Sequence, residues 1–385
     1  MDFELSEEQR AFGEVVLAYG REQLAPYAAE ADRKGEFCWE AWRKLGELGL
    51  LGLHFPEEYG GQGADVLTAC IAGEALGQAG VDGGLLLSLG AHTYLCGDTI
   101  LRHGSAAQKA KYLPRLASGE WVGCMGLTEP QAGSDAASLT TTAVHRQDRY
   151  LLNGTKMFIT NGPIAEVAVV FATVDRKAGH QGISAFIVER GTPGFFAGKK
   201  LDKLGVRSST TSELVFADAE VPAANLLGEE GAGFPIALGA LEWDRSALLA
   251  PFVGSMAWAL AECAAYALQR KQFGRPIAEF QAIQRKIAEM KVYVEAARLL
   301  VYRVACAKDR GRPLNHLEAS VAKLFVGDQG MAMASEAVQL FGGYGYMHEY
   351  PVERIFRDAK LGQIGGGTSE IQRMVIARIL REAAP

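Results

Sequence analysis

The pattern of apolar and polar positions changes twice along this chain of 385 residues. Val15, Val16 and Tyr19 recur at helical spacing, and comparable patterns continue to about residue 120. Short runs rich in β-branched and aromatic residues follow, until long helical patterns return after the glycines at 231–233. The pattern therefore predicts three domains: an N-terminal helical domain at 1–120, a β domain at 121–230 and a C-terminal helical bundle at 231–385.

The β domain is predicted from three short apolar runs, at 167–174, 183–188 and 213–216. Asn153-Gly154 separates two further apolar runs, and this dipeptide predicts a hairpin turn. Because helices and strands occupy separate regions, the predicted fold class is α+β and not the alternating βαβ arrangement of dinucleotide-binding folds. The glycine clusters are therefore not interpreted as a dinucleotide fingerprint.

Composition and charge restrict the classes of function. The chain has 39 basic and 45 acidic residues, a net charge of −6, which offers no electrostatic basis for binding nucleic acid or a membrane surface. Its six cysteines form no C-x-x-C pair and its seven histidines no metal-binding motif, so we expect free thiols in a reducing cytoplasm and no metal site.

Ser6 and Gln9 have capping-box spacing, which predicts a helix and not an export signal. No apolar run approaches the roughly 20 residues of a membrane span.

One loop near the start of the β domain is rich in small and polar residues. Residues 126–135 read Gly-Leu-Thr-Glu-Pro-Gln-Ala-Gly-Ser-Asp. Hydroxyls and backbone amides in such a loop suit the edge of a flat, polar heterocycle. An ordinary turn has the same composition, so the segment alone leaves both interpretations open.

A second segment, at 156–162, reads Lys-Met-Phe-Ile-Thr-Asn-Gly and predicts a strand that ends in a turn. Phe158 and Thr160 are two residues apart, which places them on one strand face, where ring and hydroxyl can contact the same ligand. A core phenylalanine beside a strand end is the alternative.

Three further segments suit a phosphate or the close approach of a ligand to the backbone. The segment 270–274 reads Arg-Lys-Gln-Phe-Gly, and arginine can bind a pyrophosphate through several N–H groups, although a helix C-terminus would explain the same residues. Residues 339–345 are rich in glycine. At 365–370 the chain reads Gly-Gly-Gly-Thr-Ser-Glu before the last helix, so the backbone can approach a ligand and offer free N–H groups.

In sequence, order and spacing, these segments resemble the acyl-CoA dehydrogenase family over residues 126–375. The string Thr-Glu-Pro-x-x-Gly-Ser-Asp is the most specific of them. The resemblance implies FAD as the cofactor, a β-barrel or sandwich as the middle domain and a four-helix bundle at the C-terminus. It also implies a homotetramer built as a dimer of dimers, with FAD at a dimer interface, and an electron-transfer flavoprotein as the electron acceptor.

The resemblance also assigns residues to the cofactor. Thr128 and nearby amides contact the flavin ring, Thr160 lies near flavin N5, and Phe158 packs on the ring where many relatives have tryptophan. The segments around 270 and 342 hold the ADP part of FAD from the neighbouring subunit. The full set of implied FAD-binding residues is Met125, Leu127, Thr128, Gly133, Ser134, Phe158, Thr160, Arg270, Gln272, Phe273, Gln281, Gln339, Gly342, Gly343, Thr368 and Glu370.

The catalytic base is where this sequence departs from the most common family pattern. Many relatives carry a glutamate at the position of Gly366, and this glutamate removes the α-proton of the substrate. Gly366 can still donate its backbone N–H to the thioester oxygen. A subset that includes isovaleryl-CoA dehydrogenase-like enzymes has its base on the helix after the β domain, directly before an arginine, and the matching residue is Asp244. Aspartate is one methylene shorter than the usual glutamate; Glu242, or no effective base, are the alternatives.

The residues implied at the acyl thioester are Ser134, Glu242, Arg245 and Gly367. The leading prediction is an FAD-dependent enzyme that converts a saturated acyl thioester to the trans-2-enoyl thioester. Trp243 also occurs in relatives that oxidise acyl groups on carrier proteins, so acyl-CoA and acyl-carrier-protein substrates both stay open. A flavin oxidase or monooxygenase on the same fold competes with this prediction, and so does a non-catalytic flavoprotein.

Overall fold

The N-terminal region begins at a capped helix. The structure, a computed structural model, describes residues 4–312 and 316–382, except for the side chains of 242–244. The Ser6 hydroxyl accepts a hydrogen bond from the Gln9 N–H, and the Gln9 side chain accepts one from the Ser6 N–H, which confirms the predicted capping box. The helices of this region are α1 (Glu7–Tyr19), α2 (Ala28–Lys34), α3 (Trp39–Glu47), α4 (Val66–Gln78), α5 (Gly83–Gly90), α6 (Asp98–His103) and α7 (Ala106–Ser118).

The middle region is a mixed sheet of mostly short strands. They are β1 (Gly123–Gly126), β2 (Thr142–Arg146), β3 (Arg149–Thr160), β4 (Val167–Thr173), β5 (Ile183–Glu189), β6 (Phe195–Ala197), β7 (Thr211–Pro222) and β8 (Leu226–Leu227). Hydrogen bonds connect them in the order β6-β7-β3-β2-β4-β5-β8, and β1 pairs in parallel with β4. The strands from β6 to β2 and those from β4 to β8 share one apolar cluster, which includes Tyr150, Phe186 and Phe216. Two parts of the sheet therefore pack together, as expected of a sandwich.

The C-terminal helices pack directly on the N-terminal ones. This region contains α8 (Gly233–Asp244), α9 (Ala250–Gln269), the short strands β9 (Lys271–Gln272) and β10 (Arg275–Pro276), α10 (Gln281–Asp309), α11 (His316–Phe341), α12 (Val352–Ala359) and α13 (Ser369–Glu382). Helices α4 and α9 cross in close contact. A Cβ atom at Gly77 would lie 2.1 Å from the Pro251 carbonyl oxygen, and one at Gly254 would lie 2.0 Å from that of Glu74. Larger residues at either glycine would push the helices apart.

Asn153-Gly154 is not the turn of a hairpin. β3 passes through the dipeptide, and the turn lies at 147–148, between β2 and β3. A register shift between Leu152 and Gly154 marks a β-bulge. Gly154 has a φ of 148°, and a Cβ there would lie 2.5 Å from the Thr141 hydroxyl oxygen. The predicted hairpin is therefore wrong, because this glycine permits the close approach of Thr141 and does not reverse the chain.

Replacing Gly154 by alanine is expected to destabilise the fold by about 1–3 kcal/mol, because the new methyl group overlaps Thr141 in a packed sheet. Gly239→Ala is a matched control, since a Cβ at this position in α8 meets no atom within 4 Å and alanine favours a helix. Thermal or urea denaturation of both variants measures the difference. Equal unfolding midpoints for the two variants would contradict the packing explanation.

Two buried carboxyl groups join all three regions near the start of α5. Asp82 caps α5 through the Leu85 N–H at 2.9 Å and also accepts a hydrogen bond from the Ser208 hydroxyl. Asp358 on α12 accepts a hydrogen bond from the Val206 N–H at 2.5 Å. Burial raises the pKa of both carboxyl groups, and the Asp82 charge adds to the effect of burial in raising the pKa of Asp358 to about 7.

The contribution of Asp358 to stability is expected to fall as the pH rises from 5 to 7. Asp358 binds its proton more tightly in the folded state than in the unfolded state, where its pKa is near 3.8, so the stabilisation is present at low pH and is lost as the pH rises through about 7. Over these two pH units, the contribution of Asp358 to the free energy of unfolding should fall by about 2.7 kcal/mol. Asp358→Asn, which keeps an oxygen for the Val206 N–H, should remove this dependence. If both proteins show the same curve of unfolding midpoint against pH, Asp358 does not titrate in this range.

Within residues 4–312 and 316–382, no helix combines the length and the apolar composition that crossing a membrane requires. The same residues include no group of three His, Cys, Asp or Glu side chains placed to hold a metal ion. The six cysteines are free.

Candidate functional site

The loop that carries Thr128 lies against the end of β3. The Met157 N–H donates a hydrogen bond to the Thr128 carbonyl at 2.8 Å. Glu129 and Ala132 exchange backbone hydrogen bonds, so the loop closes in a tight turn, and residues 133–134 after it are exposed. The fold therefore brings the first two predicted segments together.

A buried ion pair holds this contact in place. The Lys156 ammonium lies 2.7 Å from the Glu129 carboxylate, and the two side chains are 0% and 1% exposed. Glu129 also accepts hydrogen bonds from the N–H and hydroxyl groups of Thr140 and Thr141. Burial alone would raise the pKa of Glu129, but Lys156 and these hydrogen bonds lower it to about 2. The carboxylate is therefore ionised at neutral pH.

The sequence prediction does not include this ion pair. Glu129 belongs to a polar loop, where an exposed charge is ordinary, and Lys156 stands at the centre of a strand. A lysine among apolar strand residues is a usable signal, because buried lysines are rare unless they are paired. That signal does not name the partner, which only the fold brings close.

Phe158 is held in an uncommon backbone conformation. The register of β3 against β7 shifts between Lys156 and Ile159, so an extra residue is inserted and simple alternation fails there. Phe158 has a φ of 60° and is 66% exposed. The alternative of a core phenylalanine is therefore wrong, because the bulge leaves the ring open to solvent.

These residues fit a flat, polar heterocycle such as the flavin that the resemblance implies. The exposed Phe158 offers an aromatic face for stacking. Thr128 and Thr160 are half-buried and carry hydroxyl groups. A Cβ at Gly133 would meet no atom within 4 Å, so there is open space beside the loop.

Leu127 and Met125 contact the core. Leu127 is 8% exposed, and Met125 packs at the edge of the same apolar cluster. The Leu127 carbonyl accepts a hydrogen bond from the Lys156 ammonium at 3.3 Å. Any contact between Leu127 and a cofactor would therefore use the backbone N–H and not the side chain.

The segment predicted to bind pyrophosphate is a hairpin. α9 ends at Gln269, and β9 and β10 pair around the turn Phe273-Gly274, whose φ angles are 51° and 82°. Phe273 is 93% exposed at the tip. The alternative of a helix C-terminus is therefore wrong for 271–274, because the chain has already left the helix.

This hairpin lies beside the second glycine-rich segment. The Arg270 guanidinium is 5.4 Å from the ring centre of Tyr344. No hydrogen bond, ion pair or ring contact between described residues joins this group to Thr128, Phe158 or Thr160. The predicted cofactor residues thus form two groups, and the exposed members of the second are Arg270, Gln272, Phe273, Gln281, Gln339, Gly342 and Gly343.

The glycine run at 365–367 precedes α13. Gly366 and Gly367 have φ angles of 64° and 89°, a left-handed conformation that glycine adopts without strain. The Gly366 N–H has no hydrogen-bond acceptor in the described part of the chain, which leaves it available to a ligand oxygen. At the start of α13, the Thr368 hydroxyl accepts a hydrogen bond from the Ile371 N–H, and Glu370 is exposed.

The predicted base lies at the end of a helix. α8 ends at Asp244, residues 245–249 form a turn, and α9 begins at Ala250. The side chains of Glu242 and Asp244 lie outside the described residues, so the assignment of the base stays a prediction. Arg245, which is predicted to contact the substrate, is buried.

An apolar cavity is lined by Leu248 of this turn and by Gly362, which precedes the glycine run. Its lining includes Leu86, Leu248, Phe252, Trp258, Arg354 and Gly362. The cavity is partly open to solvent. In the chain, Leu248 follows Asp244 by four residues and Gly362 precedes Gly366 by four; no residue of the glycine run 365–367 belongs to the lining. The sequence prediction includes no residue of this lining.

A buried arginine forms part of the cavity wall. Arg354 is 9% exposed, and its guanidinium lies 5.7 Å from the ring centre of Trp258. With the residues that the structure describes, its side chain forms no hydrogen bond and no ion pair. The cavity wall is therefore mostly apolar, with a cationic group at Arg354 and the buried carboxyl group of Asp358, on which the Arg354 charge acts.

Family models match three consecutive parts of the chain. The acyl-CoA dehydrogenase N-terminal domain matches residues 6–120, the middle domain 124–219 and the C-terminal domain 231–381. A short-chain-specific acyl-CoA dehydrogenase from Clostridium acetobutylicum is 46% identical and covers 98% of this chain and 99% of its own length. The mitochondrial isovaleryl-CoA dehydrogenase of Oryza sativa subsp. japonica is 45% identical and covers 97% of this chain and 91% of its own length.

Solved structures have the same fold. Butyryl-CoA dehydrogenase from Megasphaera elsdenii has a TM-score of 0.95 and 46% identity, over 99% of this chain and all of its own. The prolyl acyl carrier protein oxidase AnaB has a TM-score of 0.95 and 40% identity, over 98% of this chain and 100% of its own. PigA, solved with FAD and proline, has a TM-score of 0.96 and 34% identity over the full length of both chains. The predicted α+β fold, with helical terminal regions and strands in the middle, is confirmed.

Proposed function

The chain belongs to the acyl-CoA dehydrogenase family, and from this premise we propose that it oxidises a saturated acyl-CoA to the trans-2-enoyl-CoA. The reaction removes a proton from Cα and a hydride from Cβ. FAD, when bound, accepts the hydride and so supplies the oxidising chemistry. The observation that carries the proposal is the Gly366 N–H, which has no acceptor among the described residues and follows by four residues the apolar cavity's lining residue Gly362.

The residues of this chain supply the remaining parts of the reaction. The Gly366 N–H donates a hydrogen bond to the thioester oxygen and stabilises the negative charge that develops there as the α-proton leaves. Asp244 takes this proton as the general base. When FAD is bound, Phe158 would hold the flavin ring by stacking, and Thr128 and Thr160 would offer hydroxyl groups to its edge.

The acyl chain occupies the cavity beside Leu248 and Gly362. Its apolar lining excludes water from the reacting carbons, which strengthens the hydrogen bond from Gly366. Arg354 gives the cavity wall a donor for a chain that carries a carbonyl or carboxylate at its far end.

Anaerobic titration of the purified flavoprotein tests the proposal. We expect acyl-CoA thioesters to bleach the flavin absorbance, and the panel contains butyryl-CoA, isovaleryl-CoA, hexanoyl-CoA and an acyl-CoA with a terminal carboxylate. The corresponding 2-enoyl-CoA should be recovered in equal amount to the reduced flavin. A flavin that none of these thioesters reduces would contradict the proposal and favour a non-catalytic flavoprotein.

Oxidation of an acyl group on a carrier protein is the second candidate function. The 40% identity to the AnaB structure supports it, as does Trp243 before the proposed base. The same titration with acyl-carrier-protein thioesters separates the two carriers by their rates of bleaching. Rapid reoxidation of the reduced enzyme by air, with formation of peroxide, would favour an oxidase over a dehydrogenase that transfers electrons to an electron-transfer flavoprotein.

We propose a homotetramer in which the hairpin at 271–276 of one subunit completes the FAD site of its neighbour. The two separate groups of cofactor residues support this arrangement, and so does the exposure of Phe273 at the hairpin tip. Phe273→Ala is expected to lower the flavin content of the purified protein, because it removes the exposed aromatic contact. Light scattering measures the mass of the assembly; a monomer that retains full FAD would contradict the shared site.

A further inference from the structure

Residues on one face of α11 hold the segment that leads into the glycine run. The Lys323 ammonium donates a hydrogen bond to the Gly362 carbonyl at 2.7 Å. Gly327, one turn further along α11, packs so closely that a Cβ there would lie 2.3 Å from the same carbonyl oxygen. Asp328 follows directly in the chain. The helix therefore provides a rigid base for the segment at this point.

The Asp328 carboxylate connects the two sides of the glycine run. Its Oδ1 accepts hydrogen bonds from the Gln363 side chain at 3.0 Å and from the Ser369 hydroxyl at 2.8 Å. Its Oδ2 accepts a hydrogen bond from Arg373 at 2.5 Å. Gln363 precedes the glycines and Ser369 follows them, so one carboxylate fixes both ends of the segment 364–368.

Gln372 supports the glycines themselves. This residue is fully buried, and its amide nitrogen donates hydrogen bonds to the carbonyls of Gly366 at 3.3 Å and Gly367 at 3.1 Å. A Cβ at Gly367 would lie 2.7 Å from the same nitrogen. Gln372 and Ser369 both belong to α13, which Asp328 ties to α11 through Ser369 and Arg373. The orientation of the peptide groups at 366–367 therefore depends on the contacts of Asp328.

Asp328 is ionised at neutral pH. Burial alone would raise its pKa, but the hydrogen bonds from Ser369, Gln363 and Arg373 lower it. An asparagine at 328 would retain one oxygen acceptor but would present N–H donors to Arg373, which is itself only a donor. It would therefore lose the charge-assisted contact and could not satisfy the three donors together.

We propose that Asp328 is a positioning residue for the oxidation, because it holds the glycine run so that the Gly366 N–H points at the thioester oxygen. Asp328 acts through Gln363 and Ser369 and does not contact the substrate. A displacement of about 1 Å at a reacting group can lower a rate on the order of 10²-fold. The inference rests on the proposed function, which assigns the thioester oxygen to Gly366.

Asp328→Asn in the FAD-loaded enzyme tests the proposal. We expect kcat to fall on the order of 10²-fold with little change in KM, because the Gly366 hydrogen bond strengthens as charge develops in the transition state. Asp328→Glu retains the charge and should recover part of the rate. A second readout is an acyl-CoA analogue with sulfur in place of Cβ, which can lose its α-proton but has no β-hydrogen to transfer. Absorbance reports the deprotonation of this analogue beside oxidised flavin. This absorbance should be weaker in the Asn variant than in the parent.

Asp309→Asn is a matched control. Asp309 accepts hydrogen bonds from the Val66 and Leu67 N–H groups at 2.8 and 3.0 Å, at the start of α4 and away from the glycine run. Its loss should lower the unfolding temperature without changing kcat or deprotonation of the analogue. If Asp328→Asn does not fold, Ser369→Ala removes one of the three contacts and should lower kcat about tenfold.

If Asp328→Asn behaves like Asp309→Asn, with lower stability and the parent's kcat and analogue absorbance, Asp328 has a purely structural role and the proposal is overturned. If the parent enzyme itself is reduced by no acyl thioester, the proposed function fails and the inference fails with it. The behaviour of the parent thus separates the two failures.

Discussion

Replacing Asp244 by asparagine is expected to lower kcat for acyl-thioester oxidation by roughly 10²–10⁴-fold. Asparagine has nearly the same shape as aspartate but accepts no proton at neutral pH, so the weakly acidic α-hydrogen loses its acceptor. The flavin content should stay the same, because Asp244 is not among the residues predicted to bind FAD. The rate of flavin bleaching in one anaerobic turnover measures the effect on the chemical step directly.

Two variants control this experiment. Glu242→Gln removes the alternative carboxylate two residues earlier but keeps an amide of the same shape for a substrate contact, so its bleaching rate at saturating substrate should fall far less than that of Asp244→Asn. Asp244→Glu retains the carboxylate and extends it by one methylene, so it should keep measurable activity. An Asn variant that bleaches as fast as the parent would show that Asp244 is not the base, and a slow Glu242→Gln variant would move the assignment to Glu242.

Breaking the buried ion pair between Glu129 and Lys156 is expected to have the largest effect on stability. Glu129→Gln leaves a fully buried ammonium without its counter-charge, and such losses cost about 3–5 kcal/mol. Because the folded-state pKa of Glu129 is lowered to about 2 from 4.5, this stabilisation is present above pH 4.5 and is lost as the pH falls towards 2. Equilibrium unfolding in urea at pH 7 measures the change in the free energy of unfolding.

The same substitution should lower the flavin content, since the ion pair holds the Thr128 loop against β3. The double variant Glu129→Gln with Lys156→Met removes both charges and should be less destabilised than the sum of the single variants. Glu30→Gln breaks an exposed ion pair with Lys34 and serves as the control, with an expected change within about 0.5 kcal/mol. A Glu129→Gln variant as stable as this control would contradict the importance of the buried pair.

Helices and strands that depend only on residues close together in the chain agree with the sequence prediction. The helix at Glu7–Tyr19 begins at the predicted capping box, because the cap forms between residues three apart. The apolar runs at 167–174 and 183–188 form β4 and β5, because strands buried on both faces need unbroken apolar runs. Asn153-Gly154 shows the limit of this reasoning. The same dipeptide permits a turn or a bulge, and Thr141, thirteen residues before Gly154, decides between them.

For the candidate site residues too, the motifs predict which residues are involved, while packing decides how those residues are presented. The motif strings alone predict Thr128, Phe158 and Gly366 as site residues, because their resemblance to one family lies in the strings themselves. Neither the exposure of Phe158 nor the unpaired N–H of Gly366 follows from those strings. The first results from a register shift between β3 and β7, and the second from the contacts of α11 and α13 around the glycines.

Residue order was enough to establish the succession of helical and β regions and the family, and it predicts most of the candidate site residues. Periodicity and motifs need only near neighbours in the chain, so they can be read without a fold. Packing in three dimensions was needed to show that Lys156 meets Glu129, that the cavity lies beside Leu248 and Gly362, and that Asp328 holds the glycine run. These contacts join residues far apart in the chain, and their free energy arises from burial and exclusion of water, which exist only after the helices and strands have packed.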